Sequence, residues 1–454
     1  MAVTDDSTTA FRNPALLHSL DMAEAVIGYG AYRSSFPDVP PLYWDTNQDG
    51  LINDADSPLK VQPEAPSADA LSLAIGRNIG ERFGIAFNGF VPTGSLLRFQ
   101  TIEPAMPAWV MYGNRSQRYE IAVGLGGEVA RGLALGVSTE MVARARYRVS
   151  ASITAGATVS EDDAADTADL LDTVVIDVHD MTLDLAPNFV PIVGLHADVG
   201  EWVPALEGLT AGMVYRWDSG VPIDVDIDVQ INGSLSNVGD FDPMLLALAI
   251  PAQFKIFDHY VPARLSVGAA YRYKSWGRIY ADLHQNQWSQ MRLNVAKLTA
   301  AEVNSELLQI GTDGVQGGNA YSVRFEDTLS VNLGGEFFVP RIDVGGDAEF
   351  LDVVIRGGFG LNPSPLVSQG KSSLFLDSDR MLFAGGVGFT HQDPFELVPG
   401  PVSWDAFVSV HTLAEGQLNP VDAGMHRPGS PVNGLPVPIG GHLWSTGAQW
   451  SVEF

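Results

Sequence analysis

The chain has 454 residues, with 54 acidic against 26 basic side chains for a net charge of −28, and it contains 47 glycines and no cysteine. That charge excludes a nucleic-acid partner, which needs a basic footprint, and the missing thiols exclude disulfides, thiolate metal centres and a lipid-modified N-terminal cysteine. No run approaches the roughly 18–20 apolar residues of a membrane-spanning helix; the longest candidate, 244–252, is interrupted by Pro251.

In chain order, residues 1–23 are short, polar and helical in flavour. Residues 1–20 lack both a basic start and an apolar core, so export implies a mature, trimmed or internally started chain. Strands are expected near 24–33, 69–78, 82–92, 117–130, 133–154, 180–199, 209–230, 263–274, 278–296, 323–337, 350–360, 379–391, 402–413 and 441–454. Each alternates with period 2. From Leu133 one face reads Leu133, Leu135, Val137, Thr139, Met141, and the other reads Ala134, Gly136, Ser138, Glu140, Val142, Arg144, Arg146, Arg148. The last strand does the same with Ala448, Trp450, Val452 and Phe454 against Gly447, Gln449, Ser451 and Glu453. A soluble sandwich buries its apolar face, whereas a transmembrane barrel turns it to lipid and keeps arginines in a wet lumen. Short turns such as 78–81, 130–132 and 274–277 alternate with long polar connections at 34–68, 155–179, 231–262, 297–322, 361–378 and 414–440. The expected fold is therefore all-β, a transmembrane antiparallel barrel of about 14 strands over residues 24–454, with both ends on the periplasmic side of an outer membrane.

Three constellations stand out along this chain. In the first long connection, 34–68, the run Asp45-Thr-Asn47-Gln-Asp49-Gly50-Leu51-Ile52-Asn53-Asp54-Ala55-Asp56 has calcium-loop spacing. Oxygen ligands fall at loop positions 1, 3, 5, 9 and 12, with glycine at 6 and the carbonyl of Leu51 at 7. Asp45, Asn47, Asp49, Leu51, Asn53 and Asp56 are the expected ligands of a structural, extracellular calcium ion; a generic acidic loop is the alternative. Arg144 and Arg146 are candidates for a carboxylate head group, against an ordinary lumen charge ladder. The stretch Met244-Leu245-Leu246-Ala247-Leu248-Ala249-Ile250 reads either as an apolar capture patch in an outward loop or as a short loop helix closing the barrel mouth. The nine histidines are scattered, and no Gly-x-Ser-x-Gly elbow occurs, so no local motif points to an enzyme.

An ordered series of short motifs resembles the FadL/TodX family of outer-membrane long-chain fatty-acid and hydrophobic-compound transporters. It begins with Asn13-Pro14-Ala15 and continues through 261–271 (Val-Pro-Ala-Arg-Leu-Ser-Val-Gly-Ala-Ala-Tyr), Ala281-Asp282 to Trp288-Ser289, and 325–336. It ends with 355–359, Asn362-Pro-Ser-Pro365 and Leu376-Asp-Ser-Asp-Arg380. Leu16 stands where the family usually has glycine, and the family's longer segment before Asn-Pro-Ala is missing.

The resemblance implies that residues 1–23 form a hatch or plug inside the lumen, with Asn13, Pro14 and Ala15 as its anchor. It implies a monomer in contact with membrane lipid and lipopolysaccharide. It also implies passive uptake of hydrophobic molecules, most simply long-chain fatty acids, released through a lateral opening in the wall. Aromatic or aliphatic hydrocarbons are the alternative cargo. A calcium-dependent outer-membrane enzyme acting on lipids, or a soluble calcium-binding adhesin built of β-sandwiches, is the alternative of another class.

Overall fold

A computed structural model describes residues 6–20, 22–44, 53–54, 57–59, 67–80, 82–94, 107–112, 119–158, 173–236, 244–291, 302–304, 323–343, 350–367, 369, 374–392, 399–418, 431–432 and 436–454. The strands, in chain order, are β1 Glu24–Ser35, β2 Leu42–Trp44, β3 Ser57–Leu59, β4 Ala68–Ile79, β5 Phe83–Pro92, β6 Glu120–Ala130 and β7 Leu133–Thr158. They continue as β8 Thr173–Asp198, β9 Leu209–Arg216, β10 Ser219–Ser236, β11 Met244–Val261, β12 Arg264–Tyr273, β13 Gly277–Asn286 and β14 Glu302–Asn304. The last six are β15 Thr328–Asp343, β16 Phe350–Asn362, β17 Arg380–Gln392, β18 Pro401–Leu418, β19 Pro431–Val432 and β20 Val437–Glu453.

Fourteen of these close a ring. Its order is β1-β4-β5-β6-β7-β8-β9-β12-β13-β15-β16-β17-β18-β20, and β20 pairs back onto β1 from Glu24↔Glu453 to Ser35↔His442. Every wall neighbour is antiparallel. Closure leaves no strand edge exposed, which is the condition for a sheet to sit in hydrocarbon. Short turns join strands at one end; Gly132 makes one of them at φ 72°, a left-handed conformation that suits glycine. The long connections lie at the other end.

Alternation decides which face meets lipid. Ile27, Leu71, Leu73, Ile75, Ile85, Phe87, Leu125, Leu135 and Val137 are exposed, while Val26, Ala70, Ala74, Ala86, Ala122, Ala134 and Val142 are buried. The exposed set is large and apolar and the buried set is mostly small, the reverse of a soluble core. Trp404 and Trp450 pack 6.1 Å apart, and Trp444 is exposed six residues before Trp450 along the same strand, so aromatic rings lie toward both ends of the wall, as in the girdles of membrane barrels.

The expected strand 209–230 is broken. The wall strand β9 stops at Arg216, and the chain leaves the ring as the hairpin β10–β11 before returning at Arg264. The stretch Met244–Ile250, expected as an apolar loop patch, is the first half of β11, with Leu245↔Ser234, Leu246↔Gly233 and Leu248↔Ile231 in register. β10 lies parallel to the outer half of β7, from Asp224↔Arg146 to Ser236↔Thr158, and β14 adds to β11. A mixed sheet thus continues the barrel on the long-loop side. It arises because β7 and β8 run far beyond the last β6 partner, Glu120↔Val142, leaving a β7 edge that β10 covers.

Because Leu73 lies mid-strand on the lipid face, Leu73→Arg should cost about 2–4 kcal/mol of barrel stability. Denaturant unfolding in lipid vesicles measures this directly.

Candidate functional site

The N-terminal segment sits against the inner wall. A short helix, Thr9–Arg12, leads into a 3-10 turn, Pro14–Ser19. Asn13 caps that turn, its Oδ1 accepting from the Ala15 amide at 3.2 Å, and Pro14 occupies the first turn position, where no amide donor is needed. The Asn13 Nδ2 donates to the Leu195 carbonyl of β8 at 3.2 Å. Asn13, Ala15 and Leu17 are fully buried, and Leu17 packs with Ala10, Leu20 and Ala86.

What admits this segment is a row of glycines. Gly84, Gly126, Gly136 and Gly194 are in direct cross-strand register on β5, β6, β7 and β8. A Cβ on Gly84 would overlap the Leu17 carbonyl, and one on Gly126 the Pro14 carbonyl. On Gly136 it would strike the Pro14–Ala15 peptide, and on Gly194 the Asn13 side chain. The four strands therefore form a shallow trough into which one turn of backbone fits. Farther along the segment, Ser7 donates its amide to Glu24 at 2.7 Å, and Gln449 Nε2 donates to Asp6 at 3.2 Å.

Above the trough lies a charged layer. Arg216, the last residue of β9, and Arg264, the first of β12, are in register, so the two arginines flanking the β10–β11 excursion stand side by side. Arg216 pairs with Glu140 of β7, both buried, and its guanidinium lies 4.8 Å from the Phe11 ring of the N-terminal segment. Beside them His284 Nδ1 and Ser266 Oγ are 2.8 Å apart. Among the described residues this is the one local arrangement that suggests a nucleophile and base. Ser266 is only 1% exposed, and the Arg264 and Arg216 pair lies in the same layer. Across the lumen Arg356 bridges Glu336 at 3.1 Å and Asp405.

At the long-loop end the described residues form an apolar cluster. Trp109, Met111, Tyr112, Tyr260, Trp288, Phe325, Phe375, Leu376, Leu413 and Leu443 are buried together, with Tyr32 and Phe36 against them. Segments 107–112 and 374–378 hold each other through Ala108 N to Leu374 O at 3.3 Å and Leu376 N to Ala108 O at 2.8 Å. Asp377 is fully buried, accepting from the Tyr112 hydroxyl and, at 2.7 Å, from Ser364 Oγ. Burial raises the Asp377 carboxyl above its ordinary value against the opposing pull of Arg380, and burial raises the Tyr112 phenol well above its own. At the short-turn end a polar cavity of about 520 Å³ lies below the N-terminal segment, lined by Leu16, His18, Arg131, His196, Arg272 and Arg278 among others.

Of the residues singled out from sequence, Asn13, Pro14 and Ala15 come together on the glycine trough. Arg144 and Arg146 are not among them. They sit on β7 beyond Val142, where Arg146 is in register with Asp184 and Asp224; their side chains, and those of Leu245, Leu246 and Leu248, lie outside the described residues. Asp45, Asn47, Asp49, Leu51 and Asp56 also lie outside them. Asn53 is described and exposed, and the pair Trp44↔Ser57 joins the two ends of the 45–56 loop. Glu140, Arg216 and Arg264 were not singled out as site residues, because only the ring's register makes them neighbours.

No family model and no curated protein matches the chain. Among solved structures it is similar to a Pseudomonas aeruginosa FadL homologue, at 14% identity and TM-score 0.56, covering 100% of this chain and 95% of that one. Lower similarity links it to the CymD monoaromatic hydrocarbon channel, at 12% identity and TM-score 0.48, covering 100% and 94%. The P. putida toluene transporter TodX follows at 10% and 0.46, covering 99% and 94%. The first of these shares the barrel fold over the full chain.

A side chain at position 136 has nowhere to go but the Pro14–Ala15 backbone. Gly136→Val should unseat the N-terminal segment and expose it to limited proteolysis while the barrel stays folded. Gly357→Ala, whose Cβ would meet nothing within 4 Å, should leave the cleavage pattern unchanged.

Proposed function

We propose that this barrel takes up hydrophobic small molecules passively across a bacterial outer membrane, as the resemblance to FadL/TodX transporters suggests. The observation that carries the reading is the filling of the lumen. An open diffusion pore needs a wet, unobstructed channel, whereas here an apolar cluster lies at the mouth and a peptide segment lies on the wall below it. No phosphate-binding loop is present in the sequence, and downhill transfer needs none. An apolar chain gains about 0.8 kcal/mol per buried methylene on leaving water.

Long-chain fatty acids are the cargo we favour. Arg216 and Arg264 place two guanidinium groups side by side in the lumen beside Glu140, and guanidinium geometry suits a carboxylate. Hydrocarbons fit the apolar mouth equally well and lack a use for the arginines. Lateral release would have to part a wall ladder. The shortest in the ring joins β8 to β9, from Ile192↔Arg216 to Asp198↔Thr210.

In this reading the N-terminal segment is the hatch, with Asn13, Pro14 and Ala15 as its fixed point. Deleting residues 1–23 should raise permeability to small polar solutes in a liposome-swelling assay. Unchanged swelling would remove the segment from the gate.

The 45–56 loop is proposed as a structural calcium site of weak, extracellular-type affinity. Its clustered carboxylates repel one another until a divalent ion fills the site, and the Trp44↔Ser57 pair brings its ends together. Calorimetric titration of the detergent-solubilised protein with calcium should give a saturable signal that Asp45→Ala with Asp49→Ala abolishes. Identical titrations would reduce the loop to an acidic turn.

A further inference from the structure

Resting on the uptake reading above, we propose that Ser378, Arg380 and His411 form a head-group site at the barrel mouth. It selects apolar compounds carrying an uncharged hydroxyl, such as long-chain alcohols and alkylphenols.

Three buried polar atoms at this end of β17 and β18 have no hydrogen-bond partner among the described residues: Ser378 Oγ, Arg380 Nε and His411 Nδ1. Register brings them to one corner of the mouth. Arg380 opposes Leu413, and His411 opposes Leu382, so Arg380 and His411 are diagonal neighbours on the inward face of β17 and β18. Ser378 lies two residues before Arg380 and is 8% exposed. Around them stand Tyr32, Tyr112, Phe375, Leu376, Leu413 and Leu443 of the apolar cluster, and the Arg380 guanidinium lies 5.3 Å from the Tyr112 ring. An apolar body with one polar end matches that surrounding.

The charges favour a neutral end. Arg380 already faces the buried carboxylate of Asp377, which Tyr112 and Ser364 hold in place. A carboxylate added at the Nε edge would set two anions against one guanidinium in apolar surroundings, an arrangement whose desolvation is poorly repaid. A hydroxyl carries no such penalty. It accepts from Arg380 Nε–H and donates to His411 Nδ1 in the tautomer protonated at Nε2, with Ser378 Oγ able to serve as a second partner. Leaving such groups unpaired is costly, so a ligand able to join them gains selectivity over a bare alkane. Arg216 and Arg264 lie deeper, so the two sites read different head groups in succession.

The test compares 1-octanol, octanoate at pH 8 and octane, titrated calorimetrically into full-length protein in lipid nanodiscs. Wild type is set against His411→Phe and against Ser378→Ala, with empty nanodiscs subtracted. His411→Phe keeps the ring volume and removes both nitrogens; Ser378→Ala is the milder change in case the first disturbs the mouth. Octanol affinity should fall about ten-fold in His411→Phe, the scale of one lost hydrogen bond, and less in Ser378→Ala, while octane binding changes by less than two-fold. Equal losses for all three ligands, or no loss, would show that the corner holds water alone and overturn the proposal. A loss confined to octanoate would make it an anion site and also overturn it. Uptake of octane into proteoliposomes separates the two readings: octane transport without octanol discrimination defeats only the head-group site, and no transport of any of the three defeats the uptake reading itself.

Discussion

Every backbone amide and carbonyl that this chain places in hydrocarbon must find its partner on a neighbouring strand, because the bilayer core offers no water. That requirement forces the ring to close through β1 and β20. Closure in turn dictates most of the molecule's other features. Once the ring is shut, side chains have only two destinations, and alternation assigns them: large apolar groups to lipid, small and polar groups to the lumen. The inner face can then be sculpted residue by residue without weakening the wall, since the ladder is made by backbone.

The lumen uses that freedom in layers. Glycines in register across β5 to β8 subtract side-chain volume where the Asn13–Leu17 backbone lies. The layer above adds charge, with Arg216 and Arg264 next to Glu140 and the Phe11 ring packed on Arg216. Breaking a buried ion pair from one side costs about 3–5 kcal/mol, so this layer fixes where the N-terminal segment meets the base of the β10–β11 hairpin. The mouth is lined by apolar packing, with Asp377 tying its segments together. Chemistry thus changes along the axis from apolar, through charged, to the polar cavity beneath the N-terminal segment.

Most strand positions were legible because period-2 alternation survives in the wall; β4, expected at 69–78, spans Ala68–Ile79, whereas the strand expected at 278–296 ends at Asn286, where the chain turns through Trp288–Gln290. The hairpin β10–β11 was not legible. Its first strand alternates just as a wall strand does, with Val221, Ile223, Val225, Ile227 and Val229 on one parity, so nothing local says that the chain has left the ring at Trp217. Pairing to the free edge of β7 is a non-local fact. The same holds for the site. Asn13-Pro14-Ala15 is a contiguous signal and could be found, whereas the glycine row and the Arg216–Arg264 pair exist only once register is known. Inward glycines at 84, 126, 136 and 194 were present in the alternation, but alternation alone does not align one strand with the next.

The central claim is that this barrel carries apolar molecules and is not a general diffusion pore. Native mass spectrometry of the intact protein extracted from its own membrane tests it most directly. The account predicts a bound apolar molecule that exchanges with added fatty acid while the barrel stays folded. A barrel that carries nothing, and takes up nothing after incubation with a mixture of fatty acids, alcohols and hydrocarbons, would contradict it.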